Sequence, residues 1–308
     1  MNDAWDVVRG DVHVIDGRIA VAGAVSSQTK ADLVVDAAGA IVLPGFIQTH
    51  VHLCQTLFRG LAEDLPLLEW LRRRVWPLEA AHDDRTLAAA ARLAAAELAL
   101  GGTTTVLTME TVHGTDAVCE ALAPTGLRAT IGKCLMDVRG EAPARLHQPA
   151  GEGLSEALAL HKRWASAANG RLRVALAPRF ALSCTRELLE QTAAVAAEQD
   201  LLVHTHASEQ RDEIDLVRAR TGLDNVAYFA SIGMATARLC AAHCVWVTEE
   251  EQRLIAERDI KVLHCPGSNL KLGSGIAPVP EMRRRGIGVS LGADGAACNN
   301  TLDMFHEM

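Results

Sequence analysis

Pro44-Gly45-Phe46-Ile47-Gln48-Thr49-His50-Val51-His52 extends an apolar run, Ile41-Val42-Leu43, and closes it with two histidines. In a strand, residues two apart point to the same face, so His50 and His52 can grip one ion together. The same kind of ending recurs along the chain. His204-Thr205-His206 is followed by Glu209, His243 lies in Ala-Ala-His-Cys, and Asp294 closes another apolar run. Imidazole plus carboxylate suits zinc or a similar divalent metal, and three or four protein ligands with one open position make a catalytic site. Spread over most of the chain at strand ends, this pattern predicts a metal-dependent hydrolase.

Outward from that stretch, the chain has a regular rhythm of short apolar strand, loop and longer helical segment. Strands are predicted over 41–52, 103–109, 128–135, 173–177, 201–206, 239–243, 261–264 and 288–294. Helices are predicted over 83–100, 152–168, 185–199, 249–258 and 279–285. Asp83 is placed to cap the first helix, and Gly101-Gly102 stand just past its end. Eight strands separated by helices indicate an α/β protein, with the (β/α)8 barrel as the matching architecture. Catalytic groups in that fold sit at the C-terminal ends of the strands, and His52, His206, His243 and Asp294 each close a predicted strand. Residues 5 to about 43 read differently, as short strands with turn signals at Asp16-Gly17, Gly23 and Gly39. The expected organisation is therefore 1–43 as the N-terminal part of a composite β domain and 44–308 as the barrel. The eighth strand should lead into a helix, yet Met308 comes one or two turns later. The expectation is a chain lacking its last barrel helix and the C-terminal strands of a small β-sandwich.

Bulk composition narrows the partners. The chain has 308 residues, 49% of them hydrophobic, enough for a large core. Thirty Lys and Arg against 38 Asp and Glu leave a net charge of −8, which argues against nucleic acid or a membrane surface as partner. The eight cysteines include no C-x-x-C pair, and Met1 to Gly10 carry no apolar h-region. Free thiols in a reducing cytoplasm are expected. Leu87 to Leu100 is Ala-rich but broken by Arg92 and Glu97, so it does not read as a membrane span.

The motifs together resemble the amidohydrolase superfamily. Those that carry the resemblance are the 44–52 stretch, Gly101-Gly102-Thr103-Thr104-Thr105, His206-Ala207-Ser208-Glu209, Ala242-His243-Cys244 and Leu291-Gly292-Ala293-Asp294-Gly295, in the family's order. Within it the chain looks like the branch of methylthioadenosine/S-adenosylhomocysteine deaminases, guanine deaminases and triazine hydrolases. The resemblance implies metal ligation by His50, His52, His206 and Asp294, and proton handling by Glu209 and His243. A bound divalent ion lowers the pKa of water to roughly 7. Asp294 would then accept the water proton, Glu209 would protonate a ring nitrogen, and His243 would orient the nucleophile or stabilise charge. Binuclear members bridge their metals with a modified lysine near the end of strand four. Here that region reads Val174-Ala175-Leu176-Ala177-Pro178-Arg179, without lysine, so one divalent ion is expected, zinc ahead of iron. The H-x-E with P-C-x-x-C signature of the other zinc deaminases is absent.

Substrate signals are mixed. Gln55, Arg179 and Phe180 look like the residues with which guanine deaminases hold the purine. Glu79 matches the ribose-binding glutamate of the adenosine-type deaminases, and Arg145 a further substrate-contacting arginine. Against that second match, Arg179 stands where those enzymes place a histidine and Cys298 replaces a serine. The expected reaction is hydrolytic deamination of an aminopurine or its nucleoside, 5′-modified adenosines ahead of guanine, because a carboxylate accepts two ribose hydroxyls. Triazine hydrolysis is the alternative within the family; a non-catalytic metal-binding fragment is the alternative outside it. A homo-oligomer is possible on this reading. Bland roles compete at several positions. His204 reads as a bystander and His264 as structural or pocket-lining. Glu209 could instead pair on the surface with Arg211 or Arg218, His243 could be a core histidine, and Cys184, Cys244 and Cys265 are expected to be small core residues.

Overall fold

The computed structural model describes residues 6–308, which divide into two compact units, one ending at Gly45 and one running from Phe46 to Met308. In the first unit, Asp11–Ile15 and Arg18–Gly23 form an antiparallel hairpin, with a register irregularity at His13/Val14. Asp16-Gly17 makes the tight turn, both residues at positive φ (50° and 73°), a conformation that Asp and Gly tolerate.

The second unit is a parallel barrel. Its strands are β1 (Phe46–His52), β2 (Thr103–Met109), β3 (Arg128–Leu135), β4 (Leu172–Pro178), β5 (Val203–Ala207), β6 (Leu239–His243), β7 (Lys261–His264) and β8 (Val289–Leu291, continuing at Asp294–Gly295). Neighbours in sequence are neighbours in the sheet throughout. The break in β8 closes it. Val289–Leu291 pairs with β7, whereas Asp294 and Gly295 pair with Val51 and His52 of β1. Gly292 lies in that break, where an added Cβ would stand 2.5 Å from the His50 carbonyl oxygen, so only glycine lets the two backbones approach.

Four strands have the bounds the periodicity predicts: Thr103–Met109, Arg128–Leu135, Leu239–His243 and Lys261–His264. The first differs, beginning at Phe46 rather than Ile41, because the apolar 41–43 run belongs to the other unit. Helix starts follow side-chain chemistry. Asp83 and Thr86 form a reciprocal capping box ahead of Asp84–Leu100, Thr185 caps Arg186–Gln199, and Thr248 with Glu251 boxes Glu249–Glu257. Helical stretches outside the predicted helices include Leu67–Ala81, Thr115–Leu122, Arg211–Thr221, Asn225–Ser231 and Pro266–Lys271. In the first, Pro77 has no N–H to donate and crowds the carbonyl four residues back. The turn before it, Leu71–Val75, widens to π geometry, with the Trp76 N–H reaching Leu71 O.

Leu107, Ala175, Cys240, Ala242 and Leu263 pack as one small cluster. Their parallel register puts Cys240, Ala242 and Leu263 on the face that also carries His204 and His206, which is the barrel interior. Two larger clusters lie between sheet and helices. All eight cysteines are buried free thiols. Among the described residues, no helix is long and apolar enough to cross a membrane.

Candidate active site

Three of the strands that carry candidate reactive residues end in a left-handed bend. Ser208 after β5, His243 and Cys244 at the end of β6, and Asp294 in β8 all have positive φ, between 49° and 71°. Residues other than glycine adopt that conformation at a cost of order 1–3 kcal/mol each, and such strain clusters at functional sites. Neighbouring backbone holds the turns in place: the Cys244 N–H donates to Ala207 O (3.0 Å) and the Val245 N–H to Ser208 O (3.0 Å).

His50, His52, His206 and Asp294 converge so that one ligand atom from each lies within 4.8 Å of the others. The Nε2 atoms of His50 and His52 are both 3.2 Å from Asp294 Oδ1, and the Nε2 atoms of His52 and His206 are 3.3 Å apart. His52 Nδ1–H donates to Met109 O (2.7 Å) and His206 Nδ1–H to Arg179 O (2.6 Å). A carbonyl can only accept, so both rings keep the proton on Nδ1 and present a bare Nε2. His50 Nε2 is buried with no hydrogen-bond partner. Three imidazole lone pairs and one carboxylate aimed at a common point fit a divalent cation, and the donor set suits zinc.

The electrostatics agree. Burial would raise the Asp294 carboxyl, but the facing His50 and His52 hold it well below the usual carboxylate range. Burial holds the His50 imidazole down, to about 4, and holds His206 well below the ordinary histidine value. At His52 the Asp294 carboxylate outweighs burial and raises the imidazole. The pocket therefore favours positive charge beside Asp294 Oδ1 and keeps the other ligands neutral.

Asp294 divides its oxygens. Oδ1 faces the histidines and accepts from the Gly295 N–H (2.8 Å); Oδ2 accepts from Ser268 Oγ (2.7 Å) and lies 3.8 Å from His243 Nε2. His243 Nδ1–H donates to Asn269 Oδ1 (2.8 Å), leaving Nε2 3.5 Å from Glu209 Oε2. Glu209 is buried, and burial together with the Asp294 charge pushes its carboxyl well above the ordinary value. No surface pairing holds it. Arg211 stacks on Trp246 (4.0 Å to the ring centroid), and Arg218 pairs with Asp215 and Asp224.

A pocket of about 370 Å³ opens onto this cluster, lined among others by Gln55, Trp70, Arg179, Phe180, Glu209 and Leu272. Glu79 stands behind it, buried. Arg179 grips both of its oxygens (Nη1 to Oε2 2.6 Å, Nη2 to Oε1 3.1 Å), and Gln55 Nε2 donates to Oε1 (2.9 Å). Glu79 also forms one wall of a neighbouring pocket of about 260 Å³, with His82, Thr111, His113 and the exposed Arg145. Cys298 lines neither pocket; it is buried, its Sγ 3.2 Å from Gly295 O. His264, at the end of β7, also stays out of both.

Sequence reasoning passed over three contributors. Ser268 and Asn269 belong to none of the motifs above, yet they hold Asp294 and His243. Gln210 joins two pocket walls, accepting from the Leu67 N–H (3.2 Å) and donating to Leu272 O (3.0 Å). Its place next to Glu209 is the one signal that could have found it.

Comparison with known proteins agrees with this geometry. The chain is 41% identical to a 5′-deoxyadenosine deaminase of Methanothermobacter thermautotrophicus, over 99% of this chain and 70% of that one. An adenosine deaminase from Xanthomonas campestris, solved with bound zinc, superposes with a TM-score of 0.79 at 35% identity; the match covers 86% of this chain and 58% of that structure. A guanine deaminase from C. acetobutylicum, solved with guanine in its active site, gives a TM-score of 0.88 at 29% identity, covering 96% and 71%. With the Amidohydrolase family model matching residues 41–308, which takes in every strand of the barrel, the chain belongs to the amidohydrolase family.

Proposed function

We propose that the chain is a metal-dependent hydrolytic deaminase of an aminopurine nucleoside, with 5′-modified adenosines as substrates and one zinc ion as cofactor. The observation that carries this reading is the convergence of three bare Nε2 atoms and Asp294 Oδ1 beside a buried Glu209–His243 pair, at the floor of one pocket. The relatives' names and the zinc in the X. campestris structure support the substrate class and the ion.

His50, His52, His206 and Asp294 Oδ1 would hold the ion, which when bound makes water acidic enough to serve as hydroxide at neutral pH. This chain's residues supply the proton path. Asp294 Oδ2, turned away from His50 and His52 and toward His243, accepts the proton from the attacking water. Glu209, whose carboxyl is pushed well above the ordinary value by burial and by the Asp294 charge, donates to the purine ring nitrogen as the amino-bearing carbon turns tetrahedral. Asp294 then passes its proton to the amino group, which leaves as ammonia, and Glu209 recovers its own from the hydroxyl as the carbonyl forms; His243 Nε2, facing both carboxylates, holds charge meanwhile.

The second pocket favours a nucleoside over a free base. A base needs only the first pocket, whereas Glu79 and the exposed Arg145 line the second and offer polar groups suited to a ribose and a 5′ substituent. Arg179 and Gln55 on the first pocket's wall favour a second reading, guanine deamination. Eight buried thiols suit a reducing compartment, and we place the enzyme in the cytoplasm.

Metal analysis of the purified protein, combined with an ammonia-release screen, tests the proposal. One equivalent of divalent metal and release from 5′-deoxyadenosine or methylthioadenosine is the expected result. Release from guanine alone would establish the second reading. No release from any purine, pterin or triazine by the metal-loaded protein would leave a metal-binding fragment.

A further inference from the structure

We propose that His204 is a positioning residue that holds His50 in the one tautomer able to ligate a metal. The inference rests on the metal reading above. Two of the three histidine ligands take their tautomer directly from main-chain carbonyls, because Met109 O and Arg179 O can only accept a proton. His50 has no such carbonyl. Its Nδ1 lies 2.7 Å from His204 Nε2, and an imidazole nitrogen can play either part.

The next bond settles the direction. His204 Nδ1 is 3.1 Å from Thr108 O, which only accepts, so His204 carries its proton on Nδ1 and offers a bare Nε2. His50 Nδ1–H must then donate to it, leaving His50 Nε2 free. A competitor pulls the other way: Asp294 Oδ1, 3.2 Å from His50 Nε2, would accept a proton there and so block ligation. His50, His204 and Thr108 are all fully buried, so no water can stand in for the His204 acceptor. The two rings meet nearly at right angles (87°, centroids 4.8 Å apart), as an in-plane N–H to lone-pair bond allows. Strand geometry puts His204 there, two residues before His206 on the same inward face of β5.

Removing the acceptor leaves either a buried unpaired N–H on His50 or the proton on the wrong nitrogen. H204F keeps a ring without an acceptor and should weaken zinc binding about 10–100-fold, measured by chelator competition. H204Q can bring its carbamoyl oxygen to the place of Nε2 and should stay within about threefold of the parent. Long-range proton–nitrogen spectra of the zinc-free parent should show the His50 proton on Nδ1. Zinc binding by H204F as tight as the parent's, loss in H204Q equal to that in H204F, or a parent His50 protonated on Nε2 would each overturn the assignment. Should H204F not fold, the parent spectrum and H204Q decide it. A parent that takes up no zinc counts against the metal reading, while the zinc-free spectrum tests His204 separately.

Discussion

The two ends of the pocket are built on different principles. At the metal end, His52 and His206 are tied to main-chain carbonyls of neighbouring strands and their loops, and Asp294 to the Gly295 N–H. At the substrate end, Gln55, Glu79 and Arg179 come from a 3-10 turn, a helix and a strand exit, and they bind one another by side chain alone. Backbone partners survive substitution of nearby side chains; side-chain partners do not. The metal end is therefore constrained largely by the barrel itself, with His204 and Ser268 as its side-chain supports, whereas the substrate end can change with a few substitutions.

Four experiments can break or sharpen that contrast. The largest effect belongs to D294N, which removes both a ligand charge and the proton acceptor: turnover should fall by 10⁴-fold or more, about the upper range for a lost acid–base group, with loss of metal. A variant that kept both would break the picture of the metal end. E209Q should lower kcat by roughly 10²–10⁴-fold and leave the metal content intact, because Glu209 lies outside the ligand set. Metal loss in E209Q would merge two roles separated here.

At the other end, E79Q leaves Arg179 buried without a counter-charge and should cost about 3–5 kcal/mol of stability, read from denaturant unfolding. E79Q combined with R179M should recover most of that loss and still bind one zinc. If the double variant lost its metal, the two ends would not be separable. The smallest effect is a pH slope. Burial pushes Glu110, beside the Met109 carbonyl that holds His52, up to about 7. Its protonated form is the one the folded state prefers, so its contribution to stability is complete below roughly pH 4.3, the unfolded glutamate value, and is lost as pH rises through about 7. E110Q should flatten that part of the pH–stability curve, and thermal melts across the range will show whether it does.

The contrast also explains what could be read in advance. The proposed ligands fall at strand ends, two of them with i, i+2 spacing, so His50, His52, His206 and Asp294 are legible as candidates from apolar runs and their last residues. The strand bounds at Thr103–Met109 or Lys261–His264 are legible for the same reason, since burial on both faces makes a parallel strand one continuous apolar run. In Leu67–Ala81 the Arg72-Arg73-Arg74 run reads as a solvated helix face, as it proves to be, but Pro77 interrupts the pattern and hides the helix's bounds. His204 reads as a spare histidine until the tertiary structure brings His50 to it, 154 residues away in sequence. Glu79 and Arg179 read as rival substrate signals, yet across 100 residues they form one buried ion pair.

By itself, then, the sequence determined the barrel, the strand ends and the residue types of a metal site, because strand periodicity is a local property. Only the tertiary structure decided which His50 nitrogen carries the proton, which Asp294 oxygen faces the histidines, and whether Glu79 and Arg179 compete or pair. Those are relations between atoms from distant segments. Their energies depend on distance and burial, which no local pattern encodes.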